Sequence, residues 1–417
     1  MKRVLMIAYH FPPLAGSSGI QRTLRFVQHL PKFGWEPLVL SADPRAYERT
    51  SNDLMSEVPD GIVVRRVFAL DTARHLSIAG RYIGAMARPD RWVSWKFAAV
   101  REGIRMIREF RPQAIWSTYP IATAHLIGAE LQRRSGLPWI ADFRDPMAQE
   151  GYPSDPLVWQ SYQEIEGNAL QHAIYSTFTT PGAARLYQGR YPNAANKIVV
   201  LENGYDEESF ASLPIDYSHD DNEHSKPIII LHSGIVYPEE RDPTQLFAAL
   251  SRLKEGGKLR SGDLVIRFRA AVHDNLLLDL ATRYDVSEYI ETCPPIPYKT
   301  ALSEMVNSDG LLVMQASSCN EQIPAKIYEY LRAGRPVLAL TDPAGDTASV
   351  MRRAGMNDIK SLDSASEIEE GLISFLIAIR DSSASLPSAE IVKNASRERR
   401  TANLVEFLEF AQASSGN

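Results

Sequence analysis

Glu321, Lys326 and Glu329 stand within nine residues of one another in the segment NEQIPAKIYEYLRAGRPVLAL, positions 320–340. The segment reads as a loop, a short helix and a buried strand. Pro324 suits the first helical position, where its missing N–H costs nothing. Gly334 suits the left-handed position past the helix end, and Pro336 blocks continuation. The spacing predicts a helix over 324–333, about three turns long. The apolar runs 310–315 and 337–340 predict flanking strands, making a parallel β-α-β unit. N–H groups of the helix start, around Ile323 to Lys326, make an anion site, and Lys326 adds a full positive charge. Glu321 lies before the helix and Glu329 in its second turn. One carboxylate therefore reaches a group in front of the helix while the other bonds hydroxyls beside it. A phosphate flanked by sugar hydroxyls fits that layout, and a nucleotide-sugar has both.

The two glutamates, with seven residues between them and an AGRPV turn following at 333–337, resemble the donor-site motif of retaining glycosyltransferases of the GT-B fold, family 4. A second segment, KIVVLENGYD at 197–206 with Phe210 following, is similar to the family's strand ending in Asn-Gly-x-Asp before the interdomain linker. Read by itself, Asn203-Gly204 is a turn signal at a strand end. The resemblance implies that Glu321 orients the donor sugar and Glu329 the ribose. It also implies that Arg241 and Lys326 neutralise the diphosphate, so that no metal is required. Arg241 lies in LHSGIVYPEERDP, 231–243, where Ser233-Gly234 would allow close backbone approach. In CPPIP, 293–297, the backbone around Pro295 would touch the base. Ile323 and Pro324 complete the expected donor side.

Loops of the first half carry the remaining candidates. HFPPLAGSSG, 10–19, follows the first predicted strand, and its glycines let backbone N–H groups approach an anion or sugar. It lacks the three-glycine dinucleotide spacing. By the resemblance Gly16, Ser17, Ser18 and Gly19 would line the cleft near the donor diphosphate and the acceptor. In PWIADFRDP, 138–146, charged residues directly follow a buried strand and point off the sheet's carboxyl edge. With WSTYP, 116–120, this run is similar to the family 4 subgroup that builds bacterial cell-surface polysaccharides. Arg144 and Asp145 stand where many relatives have His-Asp and would act in catalysis; a pairing that only ties two loops is the alternative. His10 and His125 are read as structural.

The elements that must position these residues are legible as two alternating series. Strands are predicted at 4–8, 37–40, 62–67, 114–117, 139–141, 177–180 and 198–201, with helices such as 18–33, 95–110 and 122–135 between them. A second series places strands at 228–232, 264–269, 289–291, 311–314 and 337–340. Alternation of this kind argues doubly wound parallel sheets. The resemblance implies the GT-B architecture, an α/β fold of two Rossmann-like domains facing across a cleft. The expected division is an acceptor-side domain at 1–215, a polar linker at 216–226, a donor domain at 227–390 and a terminal helix at 391–417 crossing back. At 417 residues the chain suits two domains of about 200 each.

Cys293 and Cys319 are the only cysteines and lack metal-ligand spacing, which favours a reducing cytoplasm. The opening MKRVLMIAY has too short an apolar part for a signal peptide and reads as a first strand. No apolar run approaches the ~20 residues of a membrane span. Residues 1–140 hold about twenty Lys and Arg against about eleven Asp and Glu, although the whole chain is at −6. Between Arg74 and Arg111 the basic residues mix with Leu76, Ile78, Tyr82, Ile83, Met86, Trp92 and Trp95. That stretch suits either an anionic bilayer surface, where a lipid-linked acceptor would be met, or a helix packed on its own domain. The expected reading is a cytoplasmic, peripheral glycosyltransferase taking a nucleotide-sugar donor and a lipid-linked or oligosaccharide acceptor, with no nucleic-acid partner. A sugar-nucleotide epimerase and a non-catalytic sugar-nucleotide-binding partner are the alternatives.

Overall fold

The computed structural model describes residues 1–17, 19–211, 213 and 226–414. Ser18 and most of the predicted linker, 216–225, lie outside the described residues. The chain divides into two compact units, Met1–Asn203 with Arg397–Asn417, and Gly204–Ser396.

The first unit is built on a parallel sheet of seven strands: β1 (Lys2–Ile7), β2 (Trp35–Ala42), β3 (Val63–Val67), β4 (Ala114–Thr118), β5 (Trp139–Arg144), β6 (Tyr175–Phe178) and β7 (Ile198–Val200). Their order is β3-β2-β1-β4-β5-β6-β7, so the winding reverses between β1 and β4. Along β1, Leu5 and Ile7 enter one core cluster while Val4 and Met6 enter another. Both faces are therefore covered, and the strand reads as an unbroken apolar run rather than an alternating one. Four helices matter below: α1 (Gly19–His29), α2 (Trp95–Phe110), α3 (Thr123–Ser135) and α4 (Pro156–His172).

The second unit repeats the plan with β8 (Ile228–Ser233), β9 (Leu264–Arg269), β10 (Ile290–Cys293), β11 (Gly310–Met314), β12 (Val337–Leu340) and β13 (Ile359–Lys360), ordered β10-β9-β8-β11-β12-β13. Here the reversal falls between β8 and β11. Strand β13 was not anticipated, because a two-residue edge strand carries too little pattern to read. Between β11 and β12 runs α5 (Lys326–Ala333), and Gly334 takes the left-handed conformation at its end, φ +68°.

Three boundaries differ from the sequence reading. Helix α5 starts at Lys326, not at Pro324. The Ile327 and Tyr328 N–H groups close short turns onto the Pro324 and Ala325 carbonyls, at 3.0 and 3.3 Å. The second unit begins at Gly204 rather than after the polar stretch, because Tyr205 and Phe210 lie in its core. The last helix, α6 (Arg397–Ser414), starts later than 391 and belongs to the first unit. There Leu404 and Leu408 pack with Val4, Trp35 and Trp116, and Trp35 Nε1 donates to Glu409 at 2.8 Å.

Two helical glycines give opposite stability expectations. A methyl on Gly128 in α3 would lie 2.7 Å from Trp139 Nε1 and 2.9 Å from Ser117 Oγ, both buried. A methyl on Gly167 in α4 would meet nothing within 4 Å. Gly128→Ala is expected to destabilise by about 1–3 kcal/mol through overpacking, while Gly167→Ala stabilises by about 0.5–1 kcal/mol through helix propensity. Urea denaturation of both variants checks the difference in sign.

Candidate donor and acceptor sites

In an open parallel sheet, ligands bind beyond the carboxyl ends of the strands where the winding reverses. In the second unit that place is marked by Gly234, which follows β8. Its φ of +115° is accessible to glycine, and a Cβ there would stand 3.2 Å from Lys326 Nζ. Lys326 opens α5 and donates to His232 Nε2 at 3.2 Å. His232 is buried and donates from Nδ1 to the Leu312 carbonyl at 3.0 Å, which leaves Nε2 as the acceptor. Burial first, and then Lys326, push the His232 pKa well below its ordinary value, so the ring is neutral. Lys326 is pushed down to about 7 by burial and by Arg241, against the pull of Glu329.

Arg241 lies over the Tyr237 ring, 5.2 Å from its centre, and donates to the Ile235 carbonyl. Two cations thus act on one another beside a glycine whose backbone is open to close approach. On α5, Glu329 accepts from the Tyr298 hydroxyl at 2.7 Å. Tyr330 accepts from the Ser233 N–H at 2.9 Å and locks the end of β8 to the helix. The loop before α5 is braced by Gln315, whose amide donates to the Cys319 and Gln322 carbonyls at 2.9 and 3.1 Å.

The expected donor residues do not all converge. Gly234, Arg241, Lys326 and Glu329 group around the β8 end. Glu321 is exposed in the turn before Pro324. Ile323 sends its side chain into the core, leaving only its backbone for a ligand. The short turns engage the Ile327 and Tyr328 N–H groups, which follow the expected 323–326 set. Pro295 is exposed after β10, an edge strand separated from β8 by β9. His232, Tyr298, Gln315 and Tyr330 were missed. Only the polar His232 closing an apolar strand run was a signal for any of them.

In the first unit the loop after β1 meets the end of β5. Asp142 is fully buried and accepts both Nε and Nη2 of Arg22, at 3.0 and 2.8 Å, together with the Thr118 and Thr177 hydroxyls. Burial would raise its pKa, but Arg22, Arg144 and Thr177 hold it at about 2. Arg22 also donates to the Leu201 and Glu202 carbonyls and to Asn203 Oδ1, which ties α1 to the end of β7. Arg144 sits at a register shift in β5 with a left-handed φ of +62°. It donates to Thr118 Oγ1 at 2.8 Å and to the Gly19 carbonyl at 3.1 Å. A Cβ on Gly19 would lie 2.7 Å from His10 Nδ1 and 2.8 Å from Arg144 Nη1, so this turn admits only glycine.

Ser17 Oγ accepts the Gly19 N–H at 3.2 Å and shares a hydrogen bond with His10 Nδ1 at 3.0 Å. Burial and then Arg144 push His10 down to about 3, so its ring is neutral. Gly16, φ +79°, turns the same loop. Arg144 is only 7% exposed, and its Nε and Nη2 brace the loop through Thr118 and the Gly19 carbonyl. Asp145 is exposed, and Thr179 Oγ1 lies 3.3 Å from its carboxylate. The tie that the sequence suggested between Arg144 and its neighbour is made instead through Asp142 and Thr118. His125 is a core residue, bonded to Ser117 at 2.8 Å and packed on Phe143. Arg22 and Asp142 were missed, because no spacing links residues 120 apart.

The low Lys326 pKa gives a signed expectation. The unfolded chain keeps that proton up to about 10.5, and the folded protein releases it near 7. The folded state then binds fewer protons, so this group's contribution to stability rises with pH from about 7 to 10.5. Urea midpoints measured across that window should climb more steeply in the wild type than in Lys326→Met.

Residues 18–204 match the family model of the glycosyl transferase 4-like domain. No curated protein sequence matches the chain significantly. Among solved structures, a glycosyltransferase from Rickettsia africae superposes with a TM-score of 0.64 at 14% identity, covering 98% of each chain. HepE from Anabaena, in complex with UDP-glucose, gives 0.62 at 14% identity over 98% of this chain and 100% of its own. A Listeria monocytogenes protein assigned as a UDP-N-acetylglucosamine 2-epimerase gives 0.56 at 13% identity over 97% and 95%. At these identities the superpositions establish the fold alone, GT-B, and residues 18–204, a little under half of the chain, match the glycosyl transferase 4-like domain.

Proposed function

We propose that the protein is a retaining glycosyltransferase that moves a sugar from a nucleotide-sugar to a lipid-linked or oligosaccharide acceptor in bacterial cell-surface polysaccharide synthesis. The observation that carries the donor half is Lys326 Nζ, 3.2 Å from the place of a Gly234 Cβ with Arg241 as its cationic neighbour. A nucleoside diphosphate laid on the Gly234 backbone brings its charge against both cations. When the C1–O bond breaks, negative charge grows on the leaving diphosphate, and cations already in place stabilise that growth without reorganising. Glu329, steadied by Tyr298, takes ribose hydroxyls, and Glu321 orients the donor sugar. Gly16, Ser17, Gly19 and Asp145 face the acceptor side, with Arg144 holding their loop. Neither glutamate is assigned as a nucleophile.

The HepE complexes with UDP and UDP-glucose support a uridine nucleotide as the first donor to try. The lipid-linked acceptor is supported by the basic first unit. Among the described residues no helix is long and apolar enough to cross a membrane, which leaves a peripheral seat at the inner face of the plasma membrane as the proposed location. The likeness to the Listeria protein favours a second reading, a sugar-nucleotide epimerase, since the fold and the donor cations would serve both. The 18–204 domain favours the transferase.

A thermal-shift panel of UDP, GDP, ADP and their sugar conjugates tests the donor side, because a ligand of the folded state raises the melting point by mass action. One diphosphate should stabilise the protein, and Lys326→Ala and Glu329→Ala should each weaken that by about 10–100-fold in concentration, the worth of a charge-assisted bond. No shift from any nucleotide at millimolar concentration contradicts the transferase. Release of an epimerised sugar without any acceptor selects the second reading.

A further inference from the structure

The outer face of α2 carries a surface that sugar transfer does not use. The helix packs inward through Trp95, Ala99 and Met106, and turns Phe97, Arg101 and Arg108 outward along one stripe. Between this stripe and α3 runs a groove of about 580 Å³, floored by Val100 and Ile104 and rimmed by Phe97, Lys96, Arg101 and Arg108. Phe97 is 78% exposed. A large ring held in water beside an apolar floor marks a surface made to meet another apolar phase.

The charges of the groove are unevenly satisfied. Arg105 pairs with Glu102 at 3.3 Å, and Glu130 serves both Arg133 and Arg134. Among the described residues Lys96, Arg101 and Arg108 have no carboxylate partner. The protein as a whole is at −6, so this concentration of cations is local to the face. Cations flanking an exposed aromatic on an amphipathic helix suit the boundary between lipid headgroups and acyl chains.

We infer that this groove docks an anionic phospholipid at a bilayer surface. Lys96, Arg101 and Arg108 take the headgroup phosphate, and Phe97 with Ile104 enters the acyl boundary. The stripe from 97 to 108 is roughly 17 Å long, short for tracking a nucleic-acid backbone, and a nucleic acid offers nothing to the Val100–Ile104 floor. The inference rests on the proposed membrane-side acceptor only for its biological setting; lipid docking is read without any sugar transfer.

The test is flotation of the full-length protein with vesicles of phosphatidylcholine alone or with 30 mol% phosphatidylglycerol, in a salt series. The wild type should float only with the anionic vesicles and be released as salt rises. At about fivefold per cation, the combined Lys96→Glu, Arg101→Glu, Arg108→Glu variant should lose roughly a hundredfold in vesicle affinity, and Phe97→Ser about tenfold. Melting temperature and nucleotide shift, read on the same preparations, should match the wild type, which separates lost docking from lost folding or lost donor binding. Wild-type protein that ignores anionic vesicles, or folded variants that float as it does, overturns the inference. So does capture by an oligonucleotide with no flotation.

Discussion

A carboxylate shut away from water, Asp142, fixes the strand ends of the first unit. An isolated buried charge of that kind is prohibitive, and removal of one partner from such a pair typically costs about 3–5 kcal/mol. Asp142 is tolerated because Arg22 meets it with two bonds and the Thr118 and Thr177 hydroxyls fill the remaining lone pairs. The same guanidinium then reaches Leu201, Glu202 and Asn203, so one charge joins α1, β5 and the end of β7. Arg144 is drawn in through Thr118, and with it the Gly19 turn and the neutral His10. The loop that would face an acceptor is thus held by these bonds together with the packing of its own Phe11 and Leu14.

The second unit solves a related problem with the opposite sign. Lys326 is kept in a confined place where its charge is disfavoured by burial and by Arg241. His232 accepts from it and is itself neutral, so that contact brings no negative charge to the ammonium. A site left electrostatically unsatisfied in this way is poised for an anion, and binding one raises the Lys326 pKa again. Gly234 leaves the room for that anion, and the Tyr330 bond to Ser233 keeps the strand end and helix start from drifting apart. In the second unit Arg241 and Lys326 follow β8 and β11, the strands that flank the winding reversal, where neighbouring loops diverge; in the first, Arg22 follows β1 while Asp142 and Arg144 close β5, one strand beyond the reversal.

Much of this was readable beforehand. Apolar runs of strand length punctuated by helix signals located twelve of the thirteen strands among the described residues, and the left-handed Gly334 ended α5 where its type and the following proline required. Glu321, Lys326 and Glu329 were found because they are local to one β-α-β unit. What stayed hidden is long-range. Arg22 and Asp142 are 120 residues apart, and His232 and Lys326 are 94 apart, so their pairing exists only once the sheet is assembled. Nor does sequence show that Arg144 braces its own loop through Thr118 and Gly19, because those contacts too need the assembled sheet. The stretch 74–111 was read as one basic and apolar mixture, whereas Trp95 is wholly buried and Phe97, two residues on, stands out in water.

The central claim is that Lys326, beside Gly234 and Arg241, receives the diphosphate and takes up a proton in doing so. Isothermal titration of UDP at pH 8, in two buffers of different ionisation enthalpy, tests it most directly. The account predicts net proton uptake by the wild type, affinity that falls as pH rises above about 7, and loss of the proton uptake in Lys326→Ala. Tight binding with no buffer dependence, retained in Lys326→Ala, would place the diphosphate elsewhere and contradict the account.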